Sequence, residues 1–200
     1  MLNTYQHDVL TELINIGIAS GAKQLAEMMN TRVDMHVPQV TILPLSQLKD
    51  QFKGNEKSPV HVVRQSFSGG YKGMGLLVFN NKDINSLVSN LTNTNIESEE
   101  IAKVKSDVMK EVGNIVLNGV MTAFSKMLNT RFIFDSPADF EGDYSNLQQF
   151  LNNEWHDSQA IICKASFNLK YKEGIEGDII ILYESILQYL KAIKEKAEGR

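Results

Sequence analysis

The chain carries the stretch DVLTELINI at residues 8–16 and a related stretch, DVMKEVGNI, at residues 107–115. The match continues at the same offset of 99 residues, because MMNTRV at 28–33 faces MLNTRF at 127–132 and Pro38 faces Pro137. Self-similarity held at one offset over this length indicates a duplicated structural unit. We therefore interpret the chain as two copies of one motif.

The likeness extends into the later part of each copy with small insertions. VRQSF at 63–67 resembles CKASF at 163–167, and GMGLLVF at 73–79 resembles GDIIILY at 177–183. The junction near residues 94–99 is not enriched in Pro, Gly or Ser, as a flexible linker would be. We predict a single pseudo-twofold domain over residues 1–200, with repeat one at about 5–97 and repeat two at about 98–198.

Each copy is predicted to contain a long amphipathic helix, several strands and a closing helix. Apolar residues at helical spacing predict the long helices Tyr5–Asn30 and Glu99–Asn129. The closing helices are predicted at Lys82–Asn93 and Glu184–Lys196. Runs of β-branched and aromatic residues predict strands at Gln39–Leu43, Val60–Phe67, Met74–Phe79, Arg131–Phe134, Gln159–Leu169 and Asp178–Tyr183.

This order of elements predicts an α/β (α+β) fold in which the two long helices pack on a central β-sheet. Two polar segments, Ser46–Ser58 and Ala138–Ser158, interrupt the copies and are predicted to be loops or short helices. We expect the sheet edges of the two copies to pair with each other.

Composition excludes several classes of function. A formal net charge of −4 and a pI near 5.6 disfavour binding to nucleic acid, which needs a basic surface. The single Cys163 excludes an intramolecular disulfide and lies in an apolar run, which indicates a buried residue in a reducing compartment. Residues 1–8 are polar and no apolar run approaches the length of a membrane span, so we expect a cytoplasmic protein without membrane insertion.

The usual signatures of metal sites, nucleotide sites and hydrolases are absent from the sequence. The four histidines have neither the spacing of metal ligands nor a cysteine neighbour, so we expect no protein-bound metal and no cofactor. The chain contains no GxGxxG, GxxxxGK[ST] or GxSxG motif.

A polar stripe runs along each predicted long helix. Asp8, Glu12 and Asn15 are spaced i, i+4 and i+7, and Asp107, Glu111 and Asn114 repeat that spacing. One interpretation is a solvated helix face, and another is a divalent cation held by the carboxylates, although one helix face offers few ligand oxygens. The identities nevertheless persist in both copies while Thr11 and Lys110, also polar, differ, which favours a functional role.

The repeated pattern of an acid, Glu four residues later, Asn three residues after that and a Pro further on resembles the signature of the CheC/CheX/FliY phosphatases of bacterial and archaeal chemotaxis. Its members here are Asp8, Glu12, Asn15, Pro38, Asp107, Glu111, Asn114 and Pro137. Two such sites resemble the CheC branch more than the shorter, one-site CheX. The likeness to FliY is weaker, because the sequence shows no counterpart of FliY's additional flagellar-switch domain.

The resemblance implies hydrolysis of the aspartyl phosphate on a CheY-type response regulator, which brings its own Mg²⁺. In the family the Glu pairs with the regulator's phosphate-coordinating Lys, so Glu12 and Glu111 would dock the partner. Asn15 and Asn114 would orient the attacking water, as Gln does in GTPases. Asp8 and Asp107 would assist docking or the helix start, and Pro38 and Pro137 would fix the chain between helix and strand.

Two points in this interpretation stay open. The alternative to an aspartyl-phosphate phosphatase is a binding module that sequesters a response regulator or pairs with the receptor deamidase CheD, for which the chain shows no distinct motif. The two copies also differ, because Ile14 precedes Asn15 where Gly113 precedes Asn114. Since the commonest family form has Gly there, we expect Ile14 to crowd the docking surface and the second site to be the more active.

Overall fold

A computed structural model of the chain describes residues 4–30, 32–52, 56–92, 100–155, 158–169 and 172–183, together with residues 191 and 195. Its helices are α1 (Thr4–Met29), α2 (Leu48–Gln51), α3 (Asn81–Thr92), α4 (Glu100–Leu128) and α5 (Tyr144–Trp155), and a 3₁₀ turn covers Leu45–Gln47. Its strands are β1 (Val33–Pro44), β2 (Pro59–Gly69), β3 (Gly73–Asn80), β4 (Phe132–Phe134), β5 (Ala138–Asp143), β6 (Gln159–Leu169) and β7 (Lys172–Tyr183).

The described strands form one seven-stranded antiparallel sheet with the order β1-β6-β7-β3-β2-β4, and β5 pairs with β2 beside β4. Strands of the two halves are interleaved, because β1 pairs with β6 while β2 pairs with β4 and β5. At the centre of the sheet, β3 of the first half pairs with β7 of the second half. Mixed helix and antiparallel sheet confirm the predicted fold class.

The sheet is covered on both faces. The long helices α1 and α4 pack on one face, where their apolar stripes join inward residues of the strands such as Val63, Leu77 and Ile179. A second, smaller core on the other face joins α2 and α5 to residues such as Val62, Leu76 and Ile180. Alternate residues of one strand therefore enter different cores, as the two-residue period of a strand requires.

The long helices cross at glycines. A Cβ placed on Gly17 would lie 2.4 Å from the Cα of Val120, and one on Gly119 would lie 2.6 Å from the carbonyl oxygen of Gly17. Glycine is therefore required at this crossing, because the backbones are too close for a side chain. Each helix ends at an asparagine with positive φ, Asn30 at 47° and Asn129 at 50°, a conformation that terminates helices.

Several predicted boundaries differ from the structure. Strand β1 begins at Val33 rather than Gln39, so Pro38 lies inside the strand and not before it. The segment predicted as loops or short helices after Pro137 contains the strand β5 as well as the helix α5. The predicted closing helix Glu184–Lys196 falls outside the described residues except at 191 and 195, which are helical. No helix in the described part of the chain is long and apolar enough to span a membrane.

Candidate functional site

The predicted acidic residues lie on the outer surfaces of the two long helices. Asp8 and Glu12 are exposed on α1, and Asp107 and Glu111 are exposed on α4. Asp107 pairs with Lys110 one turn later, with Oδ1 2.9 Å from Nζ. The ion pair raises the pKa of Lys110, chiefly through the hydrogen bond to Asp107. Each helix therefore presents carboxylates that a basic group on a partner can reach.

Asn15 lies one turn after Glu12 and is bound to the backbone of β1. The backbone N–H of Val37 donates to Asn15 Oδ1 at 3.0 Å, and Asn15 Nδ2 donates to the carbonyl oxygen of Val37 at 3.3 Å. The pairing of β1 with β6 is irregular here, with a register shift between His36 and Gln39. The amide thus supplies bonds to the backbone at the point where the ladder is broken.

The prolines mark the equivalent places in the two halves. Pro38 follows Val37 within the irregular part of β1, where its lack of an N–H suits a residue that donates no ladder bond. Pro137 lies between β4 and β5, opposite the same kind of gap along β2. Both prolines therefore lie where strand pairing is interrupted, Pro38 inside β1 and Pro137 between β4 and β5.

Asn114 on α4 is held differently, by side chains. Its Oδ1 accepts a hydrogen bond from Gln65 Nε2 at 3.1 Å and another from Asn118 Nδ2 at 2.8 Å. Gln65 is buried on β2 and its Nε2 also donates to the carbonyl oxygen of Asp135 at 3.0 Å. Sequence reasoning missed Gln65. The available signal was a difference between the copies, since Ala165 stands at the corresponding position of the second.

The structure corrects the predicted cause of asymmetry between the two sites. Ile14 is fully buried in the core beneath α1 and does not crowd the docking surface. Gly113 is also buried, and a Cβ there would lie 2.4 Å from Cγ1 of Val63. Both residues face the sheet because they precede the Asn by one position, which rotates them about 100° around the helix. Glycine at 113 makes room for β2 and not for a partner.

A buried histidine lies beside the second site. His61 on β2 has Nε2 3.0 Å from Asp139 Oδ2 and Nδ1 3.3 Å from Glu141 Oε1. Lys105 Nζ lies 2.6 Å from the same Glu141 oxygen, and Ser106 Oγ donates to Asp139 Oδ1 at 3.0 Å. Burial lowers the pKa of His61 despite the two carboxylates, while the hydrogen bond from Lys105 lowers the pKa of Glu141. These contacts tie β2 and β5 to the start of α4.

A shallow apolar groove of about 370 Å³ lies along the first site. Its lining residues are Asp8, Val9, Glu12, Leu13, Ile16 and Met127. Ile16 is 53% exposed, so this part of the predicted apolar stripe faces solvent and not the core. The groove places apolar surface directly beside the carboxylate of Glu12.

The two candidate sites lie toward opposite ends of the helix pair. Gly17 contacts Val120 and Gly21 contacts Val116, so α1 and α4 run antiparallel. Glu12 and Glu111 are therefore separated along the pair by about 20 Å, at 1.5 Å per residue. Among the described residues no group of three His, Cys, Asp or Glu side chains is arranged to hold a metal ion.

Comparison with known proteins supports the family that the motif indicates. A model of the CheC-like family matches residues 6–42, which include Asp8, Glu12, Asn15 and Pro38. The flagellar motor switch phosphatase FliY of Bacillus subtilis (strain 168) is 22% identical over 184 residues, covering 91% of this chain and 47% of FliY. The CheY-P phosphatase CheC of the same organism is 26% identical over 125 residues, covering 61% of this chain and 59% of CheC. The match to FliY thus extends further than the match to CheC.

Solved structures share the whole fold. Thermotoga maritima FliY superposes with a TM-score of 0.79 at 17% identity and covers 100% of this chain and 98% of the solved chain. The FliM middle domain of H. pylori superposes with a TM-score of 0.60 at 13% identity and covers 98% of this chain and 99% of the solved chain. The chain spans about half the length of the curated relatives it matches.

Proposed function

We propose that this chain, which is related to the CheC/CheX/FliY family of chemotaxis proteins, hydrolyses the aspartyl phosphate of a CheY-type response regulator. One observation carries the proposal. Each long helix has an exposed Glu three residues before an Asn whose amide is held by hydrogen bonds, Glu12 before Asn15 and Glu111 before Asn114. The curated relatives named above are both phosphatases, and CheC is a CheY-P phosphatase.

The substrate supplies most of the chemistry in this mechanism. An acyl phosphate is an activated group, and the regulator holds the phosphoryl group and a Mg²⁺ ion in place. The phosphatase need only orient a water in line with the bond that breaks and complete the electrostatic environment. No metal or cofactor on this chain enters the reaction.

The exposed glutamates act in docking. Glu12 and Glu111 stand at the helix surface, where a carboxylate can pair with a basic side chain of the regulator next to its phosphate. The pairing sets how closely the Asn approaches the phosphoryl group. General-base action by these glutamates is not required, since a phosphoryl transition state of dissociative character needs little removal of the water's proton.

The asparagines supply hydrogen-bonding groups to the water or to the phosphoryl oxygens. An amide oxygen can accept a hydrogen bond from the attacking water, and the NH₂ group can donate to a phosphoryl oxygen. Asn15 retains one acceptor position and one N–H beyond its bonds to Val37. Its fixed orientation reduces the entropy lost when the transition state forms.

The test is loss of phosphate from a response regulator of the same genome. The regulator is phosphorylated with acetyl phosphate, the donor is removed, and decay of the aspartyl phosphate is followed with and without this protein. We expect faster decay with the wild type and spontaneous decay with the double variant Asn15→Ala/Asn114→Ala. Asn153→Ala, an exposed change on α5, is the matched control. Spontaneous decay with the wild type and every regulator of the genome would exclude the proposal.

The second candidate is a binding module without turnover. The observation that favours it is the shared fold with FliM, which is solved in complex with FliG. A module of this kind would bind the phosphorylated regulator, or CheD, and leave the phosphate in place. Binding measured by calorimetry together with an unchanged rate of dephosphorylation would select this candidate over the phosphatase.

A further inference from the structure

The amide of Asn114 has its carbonyl oxygen saturated from inside the protein. Gln65 and Asn118 each donate one hydrogen bond to Oδ1, which has two lone pairs. The orientation of Gln65 is fixed independently, because its Nε2 also donates to the carbonyl oxygen of Asp135. The Nδ2 of Asn114 has no partner among the described residues, so its two N–H groups remain to meet another molecule.

The first site has no pair of amide side chains that donates to its Asn as Gln65 and Asn118 donate to Asn114. The offsets of the repeat place Ala19 opposite Asn118 and Ala165 opposite Gln65. With alanine at both positions, the first site lacks these two amides. At the first site Asn15 bonds instead to Val37, and its oxygen keeps one free acceptor position.

The arrangement of Gln65 and Asn118 around Asn114 also leaves two buried oxygen atoms without a hydrogen bond. Gln65 Oε1 and Asn118 Oδ1 are both inaccessible and have no hydrogen-bond partner among the described residues. The unpaired buried acceptors Gln65 Oε1 and Asn118 Oδ1 carry a desolvation cost that alanines, as at the first site, would not carry. Residues that lower stability at a candidate site are typical of function.

We propose that Gln65 and Asn118 are positioning residues, which hold the amide of Asn114 so that its NH₂ group faces the docked phosphoryl group. This role rests on the proposed function. At the second site the amide then contributes two donors to phosphoryl oxygens, where negative charge spreads in the transition state. At the first site the amide keeps an acceptor for water. The two sites thus present different hydrogen-bonding groups to the same kind of substrate.

Nuclear magnetic resonance of the ¹⁵N-labelled protein, without a regulator, tests the orientation directly. We expect the NH₂ protons of Gln65 to exchange slowly with water and those of Asn114 to exchange fast. In Gln65→Glu the new carboxylate can only accept, so the Asn114 amide should turn its NH₂ group inward and its protons should become protected. Protected Asn114 protons in the wild type, or no change in Gln65→Glu, would overturn the proposal.

Turnover provides the second test, in a Glu12→Lys background that blocks docking at the first site. We expect Gln65→Leu and Gln65→Glu to lower kcat about tenfold with KM unchanged, because docking by Glu111 is untouched. Gln149→Leu, an exposed change on α5, is the control. Unchanged kcat, or a loss confined to KM, would contradict the positioning role. Absence of all activity in the Glu12→Lys background would refute the proposed function at the second site while the resonance test still decides the orientation.

Discussion

Asn15 is bonded through both polar atoms of its amide to a single residue, Val37, at 3.0 Å and 3.3 Å. In the first copy the relationship links Asn15 to the residue before Pro38, whereas Asn114 of the second copy is held by Gln65 and Asn118 instead. Pro38 has no N–H to donate, and β1 loses its regular pairing with β6 at this point. The Asn15 amide instead binds the N–H and the carbonyl of Val37. The same residue therefore serves the fold and the proposed reaction.

Asn15→Ala is expected to lower stability more than Asn114→Ala. The first change leaves the N–H and the carbonyl of Val37 without their partner, which costs about 2–3 kcal/mol in the free energy of unfolding. The second change leaves Gln65 still bonded to Asp135 and removes the acceptor of the half-buried Asn118 Nδ2, and we expect a cost of about 1 kcal/mol. Urea unfolding followed by circular dichroism measures both. Equal losses would contradict the structural role of Asn15.

Asn114→Ala is expected to reduce turnover at the second site on the order of 10²-fold, the loss typical of one positioned catalytic group. Binding of the phosphorylated regulator should change little, because the docking carboxylate of Glu111 remains. Single-turnover dephosphorylation with the Glu12→Lys background measures the rate. Full turnover in this variant would show that Asn114 on α4 does not contribute to catalysis.

Reversing the charge of a docking residue should weaken association with the regulator. Glu12→Lys and Glu111→Lys place a cation where the partner presents one, and the repulsion grows as salt is lowered. Glu154→Lys is the matched control, since Glu154 is also exposed but lies on α5, across the sheet from both long helices. Affinity measured at several salt concentrations checks the prediction. Loss of affinity equal in all three variants would indicate a general charge effect and not a docking role.

Gly113→Ala should destabilise the protein by about 1–3 kcal/mol, the cost of overpacking a core. The new methyl group would lie against Val63, with the nearest contact at 2.4 Å. Val63→Ala removes Cγ1 and Cγ2 but keeps Cβ, 2.8 Å from the new methyl group, so the double variant should recover part of the stability relative to the sum of the single changes. A double-mutant cycle from thermal unfolding gives the coupling. Additive effects would show that Val63 is not what requires glycine.

Stability should decrease with acidification below about pH 6.5. The lowered pKa of His61 means that the unfolded chain, with a pKa near 6.5, binds the proton more tightly than the fold. The contribution of neutral His61 to the free energy of unfolding is therefore fully present above pH 6.5. It is lost as the pH falls toward the folded pKa, with a slope of up to about 1.4 kcal/mol per pH unit. Denaturation of wild type and His61→Gln between pH 5 and 7 measures the difference. Parallel curves would contradict the assignment to His61.

The repeat allowed the long helices, the central strands and the paired stripes to be predicted, because these depend on local periodicity. Strand β5 was missed since its sequence, ADFEGD, has no β-branched residue and the strand forms by pairing with β2. Ile14 was misplaced because adjacency in sequence was taken for adjacency on the surface. The contact between Gln65 and Asn114 joins residues 49 positions apart, and no local pattern encodes it.

The interleaving of strands has a consequence for how the chain folds. Strand β1 pairs with β6 of the other half, and β4 and β5 pair with β2 of the other half, so each half lacks the strand on which its own outermost strands form. A separated half would expose unpaired strand edges, which promote aggregation. Folding should then be a single cooperative transition that waits for synthesis of the second half, and two halves produced as separate chains should become soluble only together.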